Sequence, residues 1–134
     1  MTGYSGRNLR DKLGIKGGSR AAIVRMPDAV KAELGELDDV HPLKQATGVP
    51  FDFILAFITS VEQLEAVLPN LKTHLKSDGQ LWLAWAKRTS TLNTGIDETM
   101  IRRHGLAIGL VDVKVAALTS DWSGLKFVYR VSER

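Results

Sequence analysis

The chain has 134 residues, 44% of them hydrophobic and 25% charged, with a formal net charge of +3 and no cysteine. That is enough for one domain with its own core, and it excludes disulfides, thiolate metal sites and a cysteine nucleophile. His41, His74 and His104 show no HxxxH or HxH spacing, so no metal site is expected.

Glycines at 3, 6, 14, 17 and 18 punctuate the N-terminus, and residues 1–19 are expected as an irregular arm on a single domain spanning 1–134. The stretch "RAAIVRM" (20–26) is the first strand candidate, bounded by "GGS" and Pro27. "DAVKAELGEL" (28–37) predicts a short helix that starts at Asp28 and is ended by Gly35. Residues 38–50 hold two prolines and a glycine without periodicity and are expected as a connection across the sheet edge.

"FDFILAFITS" (51–60) is apolar on both alternating faces, the mark of a parallel strand covered by helices on both sides. A helix follows, with Ser60 as N-cap and Gln63 completing a capping box. Val61, Leu64, Val67, Leu68, Leu71 and Leu75 form its apolar stripe, and Pro69 predicts a kink or local tightening rather than two helices. "KSDG" (76–79) is expected as a turn in which Gly79 takes positive φ, leading to the strand "QLWLAWA" (80–86). Trp82 and Trp85 then face opposite sides of the sheet. After a polar loop, "IDETMIRRHGLAIGL" predicts a helix with an acidic start and either Gly105 or Gly109 as its stop. "LVDVKVAAL" (110–118) alternates its valines with Asp112 and Lys114, predicting one wet face. "TSDWSG" is expected to turn the chain, and "LKFVYRV" (125–131) to pair back antiparallel.

Strands separated by helices imply right-handed parallel crossovers. The expected fold is an α/β three-layer sandwich with a mixed five-strand sheet: three parallel strands followed by a C-terminal antiparallel hairpin. The order "FDFILAF", capped helix, "LKSDGQLWLAWAK", loop, helix and hairpin resembles the C-terminal half of the class I, S-adenosylmethionine-dependent methyltransferase fold. This resemblance implies the spatial order 1-2-3-5-4 and a truncated methyltransferase-like, Rossmann-like chain. More closely, "LGIKGGSR" (13–20), "LWLAWAK" (81–87), "GLVDVKV" (109–115) and "DWSGLKFVYR" (121–130) resemble the small bacterial family of unknown function called DUF3052. That resemblance runs along nearly the whole chain and implies a fold without implying a mechanism.

The chemistry of a methyltransferase is not expected to accompany the fold. No GxGxG follows the first strand, where Met26 and Pro27 stand instead, so no cofactor is expected. The glycines of "GIKGGSR" precede a strand and lack a GK[ST] ending, which excludes a phosphate loop. No GxSxG is present.

Ligands of open α/β sheets settle beyond the carboxyl ends of the parallel strands. There the sequence offers Thr59, Ser60, Lys87, Arg88 and Ser90, cations and hydroxyls suited to a small anion. A solvated strand end with Ser60 acting only as a cap is the plainer reading of the same residues. Trp122, in the expected turn, either covers the arm or the sheet edge or marks a contact with a partner. The expected function is a non-catalytic module that binds a small anion or a protein partner, with a small-molecule enzyme using the same crevice as the alternative. Nucleic acid is disfavoured, because the basic segment 1–20 carries only Tyr4 for stacking. No apolar run approaches the roughly 18–20 residues of a membrane span, and "MTGYSGRNLR" lacks the apolar core of a signal peptide; a cytoplasmic protein is expected. The edge beside the first strand must be covered by the arm, by residues 38–50 or by a second copy in a homodimer.

Overall fold

The computed structural model of the chain describes residues 8–37, 40–43, 46 and 48–134. Residues 1–7 of the expected arm and Asp38-Asp39 lie outside the described residues. The elements in chain order are α1 (Leu9–Leu13), β1 (Arg20–Val24), α2 (Asp28–Leu34), β2 (His41–Leu43), β3 (Phe51–Phe57), α3 (Val61–Thr73), β4 (Leu75–Ala86), α4 (Glu98–Ala107), β5 (Leu110–Ala117) and β6 (Trp122–Tyr129). A short 3-10 turn, Val131–Glu133, closes the chain.

The sheet order is β2-β1-β3-β4-β6-β5. The five expected strands stand in the expected order, and one short strand is added at the edge. β1, β3 and β4 are parallel neighbours, with Ile23 opposite Leu55 and Leu55 opposite Trp82. β6 runs antiparallel between β4 and β5. The added strand β2 lies parallel to β1, with Arg20 opposite His41. Residues expected as an unpaired connection therefore supply the cover for the edge of β1. A proline in an edge strand is permitted because its missing N–H costs no ladder bond on the outer side.

The sheet separates two cores. Leu64, Leu68 and Leu71 of α3 and Ile101 of α4 pack on one face against Leu81, Leu83 and Trp85. Leu9 and Leu13 of α1 and Val30 and Leu34 of α2 pack on the other against Phe53, Leu55, Phe57 and Trp82. The two tryptophans of β4 thus face opposite layers, as the period of two requires.

Several local expectations are corrected. Part of the arm is a helix: Asn8 caps α1 by accepting from the Asp11 N–H at 2.8 Å, and Leu9, Leu13 and Ile15 are buried. As the continuing apolar stripe predicts, α3 is one helix from Val61 to Thr73 across Pro69. The segment 76–79 is not a turn but the start of β4. The register shifts there between Phe51 and Phe53, and a Cβ on Gly79 would stand 3.0 Å from the carbonyl oxygens of Phe51 and Asp52. Close backbone approach, not positive φ, explains that glycine. In β5 a register shift between Asp112 and Lys114 breaks the alternation, so Val113 and Val115 are 51% and 43% exposed. Such a bulge on an edge strand discourages further pairing.

Candidate functional site at the carboxyl ends of the parallel strands

β1, β3 and β4 end at Val24, Phe57 and Ala86 on one rim of the sheet. The chain leaving β3 places Thr59 and Ser60 on this rim, and the chain leaving β4 places Lys87, Arg88 and Ser90 there. The Ile58 N–H donates to the Ala84 carbonyl at 2.8 Å and holds the two exits side by side.

Ser60 caps α3: its Oγ accepts from the Gln63 N–H at 3.0 Å. The Gln63 Oε1 in turn accepts from the Thr59 N–H at 2.8 Å, a reciprocal cap displaced by one residue from the usual box. Ser60→Ala is expected to cost about 1 kcal/mol of stability through the lost cap, read as a lower urea midpoint.

The loop after β4 is fixed from two sides. The Lys87 N–H donates to the Asp121 carbonyl at 2.7 Å, tying the end of β4 to the β5–β6 turn. The Ser90 hydroxyl donates to Asp121 Oδ1 at 2.8 Å, and its oxygen accepts from the Leu92 N–H at 3.0 Å. Asn93 Nδ2 donates to the carbonyls of Ala86 and Ile96 at 3.0 and 3.3 Å. Lys87 is half-buried and Arg88 exposed. Sequence reasoning missed Asp121 and Asn93 at this rim. The one available signal was the position of Asp121 in "DWSG", beside a tryptophan.

Trp122, expected within a turn, is instead the first residue of β6, opposite Ala86. It is only 6% exposed and meets Phe57 edge to face, with ring centroids 5.3 Å apart. Its ring is part of the core beneath α1 and α2 and offers no surface to a partner. Its Nε1–H is buried without an acceptor among the described residues. Such a buried donor without a partner costs on the order of 1–3 kcal/mol.

The turn after β1 decides the fit of a methyltransferase cofactor. A glycine-rich turn there lets the backbone approach the ligand, and an acid ending the next strand holds ribose hydroxyls. Here Arg25 occupies the left-handed region at φ 61°, followed by Met26, which packs against the core, and Pro27, which starts α2 without a side-chain cap. A non-glycine residue in that conformation costs about 1–2 kcal/mol, and all three side chains stand where glycines give access. Between Val40 and Phe51 the sequence has no aspartate or glutamate. These residues do not fit S-adenosylmethionine. Among the described residues no group of three or more His, Asp or Glu is arranged to hold a metal. No helix of the described residues is long and apolar enough to cross a membrane.

No protein-family model and no curated protein matches the sequence. Solved structures do match. A ribosomal protein L11 methylase from Lactobacillus delbrueckii subsp. bulgaricus aligns with a TM-score of 0.60 at 18% identity, over 91% of this chain and 75% of that one. A SAM-dependent methyltransferase from Aquifex aeolicus gives 0.64 at 17% identity, over 89% and 86%. The magnesium protoporphyrin IX methyltransferase of Synechocystis, solved with bound SAH, gives 0.61 at 13% identity, over 90% and 78%. At these identities the likeness establishes architecture alone: the chain has the Rossmann-like fold of the methyltransferases.

Proposed function

We propose that the chain is a non-catalytic module that binds a small anion on a degenerate methyltransferase-like scaffold, and that its resemblance to DUF3052 reflects common membership. The observation that carries this reading is the turn after β1, where Arg25, Met26 and Pro27 replace the glycines a nucleoside cofactor needs. The anion sits beyond the ends of β3 and β4, against Lys87 and Arg88, with the hydroxyls of Thr59, Ser60 and Ser90 around it.

A second reading, an enzyme using the same crevice, is favoured by one observation: the Asp121 carboxylate holds the Ser90 hydroxyl at 2.8 Å. His104 and His74 do not complete a triad with them. His104 Nδ1–H donates to the Met100 carbonyl at 2.9 Å on α4, and His74 Nδ1 lies 2.9 Å from the Asn70 carbonyl at the end of α3.

Calorimetric titration with inorganic phosphate and, separately, with S-adenosylmethionine tests the proposal. Phosphate is expected to bind, and Lys87→Ala with Arg88→Ala to weaken it by about tenfold or more with little change in melting temperature. Equal affinity of wild type and variant would remove the crevice. Saturable binding of S-adenosylmethionine would overturn the argument from the β1 turn.

A further inference from the structure

The rim at the other end of the sheet carries a cavity of about 430 Å³ between α1 and the amino ends of β1, β3 and β4. Lys16, Ser19, Asp78, Gln80 and Lys126 line it. A second hollow of about 330 Å³ shares Asp78 and Lys126 with the first and adds Arg134. The larger volume lies in the range of small-molecule sites.

The charges around it are arranged against the stability of the empty protein. Lys114 and Lys126 stand directly opposite each other on β5 and β6. Like charges so placed are about 4.5–5.5 Å apart at Cβ and destabilise the sheet. Lys126 is half-buried at the junction of the two hollows. Burial, then the fields of Lys114 and Lys16, hold its ammonium below the usual lysine range. None of these three lysines forms an ion pair among the described residues. Lys114 lies over the Trp82 ring, 5.9 Å from its centroid, which leaves its charge without a counter-ion. Two carboxylates line the cavity. Asp52 is already committed, accepting from the Arg20 N–H and from Lys76, both at 2.9 Å, and the first of these bonds leads in keeping its carboxyl below the usual range. Asp78 is exposed on β4, where it can accept from hydroxyl groups.

We propose that this cavity binds a phosphorylated small molecule, its phosphate seated against Lys126 and Lys16, within the field of Lys114, and its hydroxyl-bearing part against Ser19, Gln80 and Asp78. Two lysines lining the cavity, with the charge of Lys114 next to Lys126, match a dianion better than a carboxylate, and Ser19, Gln80 and Asp78 offer hydrogen-bonding groups beside the apolar Phe53 and Val128. The site lies at the opposite end of the strands from Lys87 and stands independently of the crevice there.

The test is calorimetry on the full chain at low ionic strength with glucose 6-phosphate, glucose and inorganic phosphate, and in parallel with a single-stranded RNA oligomer. Glucose 6-phosphate is expected to bind saturably and more tightly than inorganic phosphate, while glucose gives no heat. Lys126→Met is expected to weaken glucose 6-phosphate by about tenfold or more, with an unchanged or higher melting temperature because the repulsion by Lys114 is relieved. Should that variant fail to fold, Lys16→Met, on an exposed loop, is expected to show the same loss. Placed in the Lys87→Ala, Arg88→Ala background, which removes the crevice, Lys126→Met is expected to cause the same loss of glucose 6-phosphate affinity, which separates this site from the crevice. Absence of binding, equal affinity in the folded lysine variants, loss of affinity only in the Lys87 and Arg88 variant, or binding of the RNA alone would each overturn the proposal.

Discussion

Replacing Gly105 by alanine is expected to destabilise the protein by about 1–3 kcal/mol, although it adds a better helix former. A Cβ at this position would stand 2.1 Å from Phe127 Cε1 and 2.3 Å from Cζ. Phe127 is fully buried in the core under α3 and α4, so its ring has no space into which to withdraw. The helix must therefore lift from β6, which also pulls Ile101 out of the same core. Alanine's advantage over glycine in a helix is only about 1 kcal/mol, too little to offset the loss of that contact. The midpoint of urea unfolding reads the effect. Phe127→Leu made in the Gly105→Ala background is expected to recover part of it, which a double-mutant cycle reports as coupling. A midpoint equal to that of the wild type would mean that α4 rides further from the sheet than the structure places it.

Gly105 also shows where sequence reading reaches its limit. Gly105 and Gly109 are equivalent stops when only local preference is considered, and the helix in fact continues through Gly105 to Ala107, with Gly109 beyond it at φ 95°. What selects between them is the ring of Phe127, more than twenty residues later in the chain. The central strands were legible because continuous apolarity in β3 and β4 has one physical reading, burial on both faces. The start of α3 was legible because a capping box is a local bond between near neighbours. β2 was not, since a three-residue strand containing a proline carries no period and exists only because β1 needs a partner. Val113 and Val115 were misassigned for a similar reason: one shift of register in β5 reverses an alternation that looks regular in sequence. The rim at Lys87 followed from a general rule about parallel sheets, without any motif. The lysine cavity had no sequence signal, because Lys16 comes to Lys126 only through the docking of α1, and Lys114 only through the β5–β6 register.

Replacing Trp82 by alanine is expected to have the largest effect on the α1 side of the sheet, about 3–5 kcal/mol. Trp82 is fully buried between β4 and the helices α1 and α2. Its Nε1–H donates to the Leu13 carbonyl and to Gln80 Oε1, each at 3.1 Å, while Gln80 Nε2 donates to the Gly14 carbonyl at 3.1 Å. These bonds anchor the C-terminal end of α1, a five-residue helix too short to persist alone. Without the indole, α1 loses both its platform and a hydrogen bond, and Lys16, three residues past that end, loses its fixed place beside the cavity. Trypsin is then expected to cut faster after Arg10, Lys12 and Lys16 under native conditions, and affinity for a phosphorylated ligand to fall in the fraction that stays folded. Trp82→Phe keeps most of the ring while removing the donor; its expected cost is about 1–3 kcal/mol, chiefly from the unsatisfied Leu13 carbonyl and the smaller ring. If both variants match the wild type in tryptic rate, Leu9, Leu13 and Ile15 alone hold α1 on the sheet, and the wall of the cavity does not depend on Trp82.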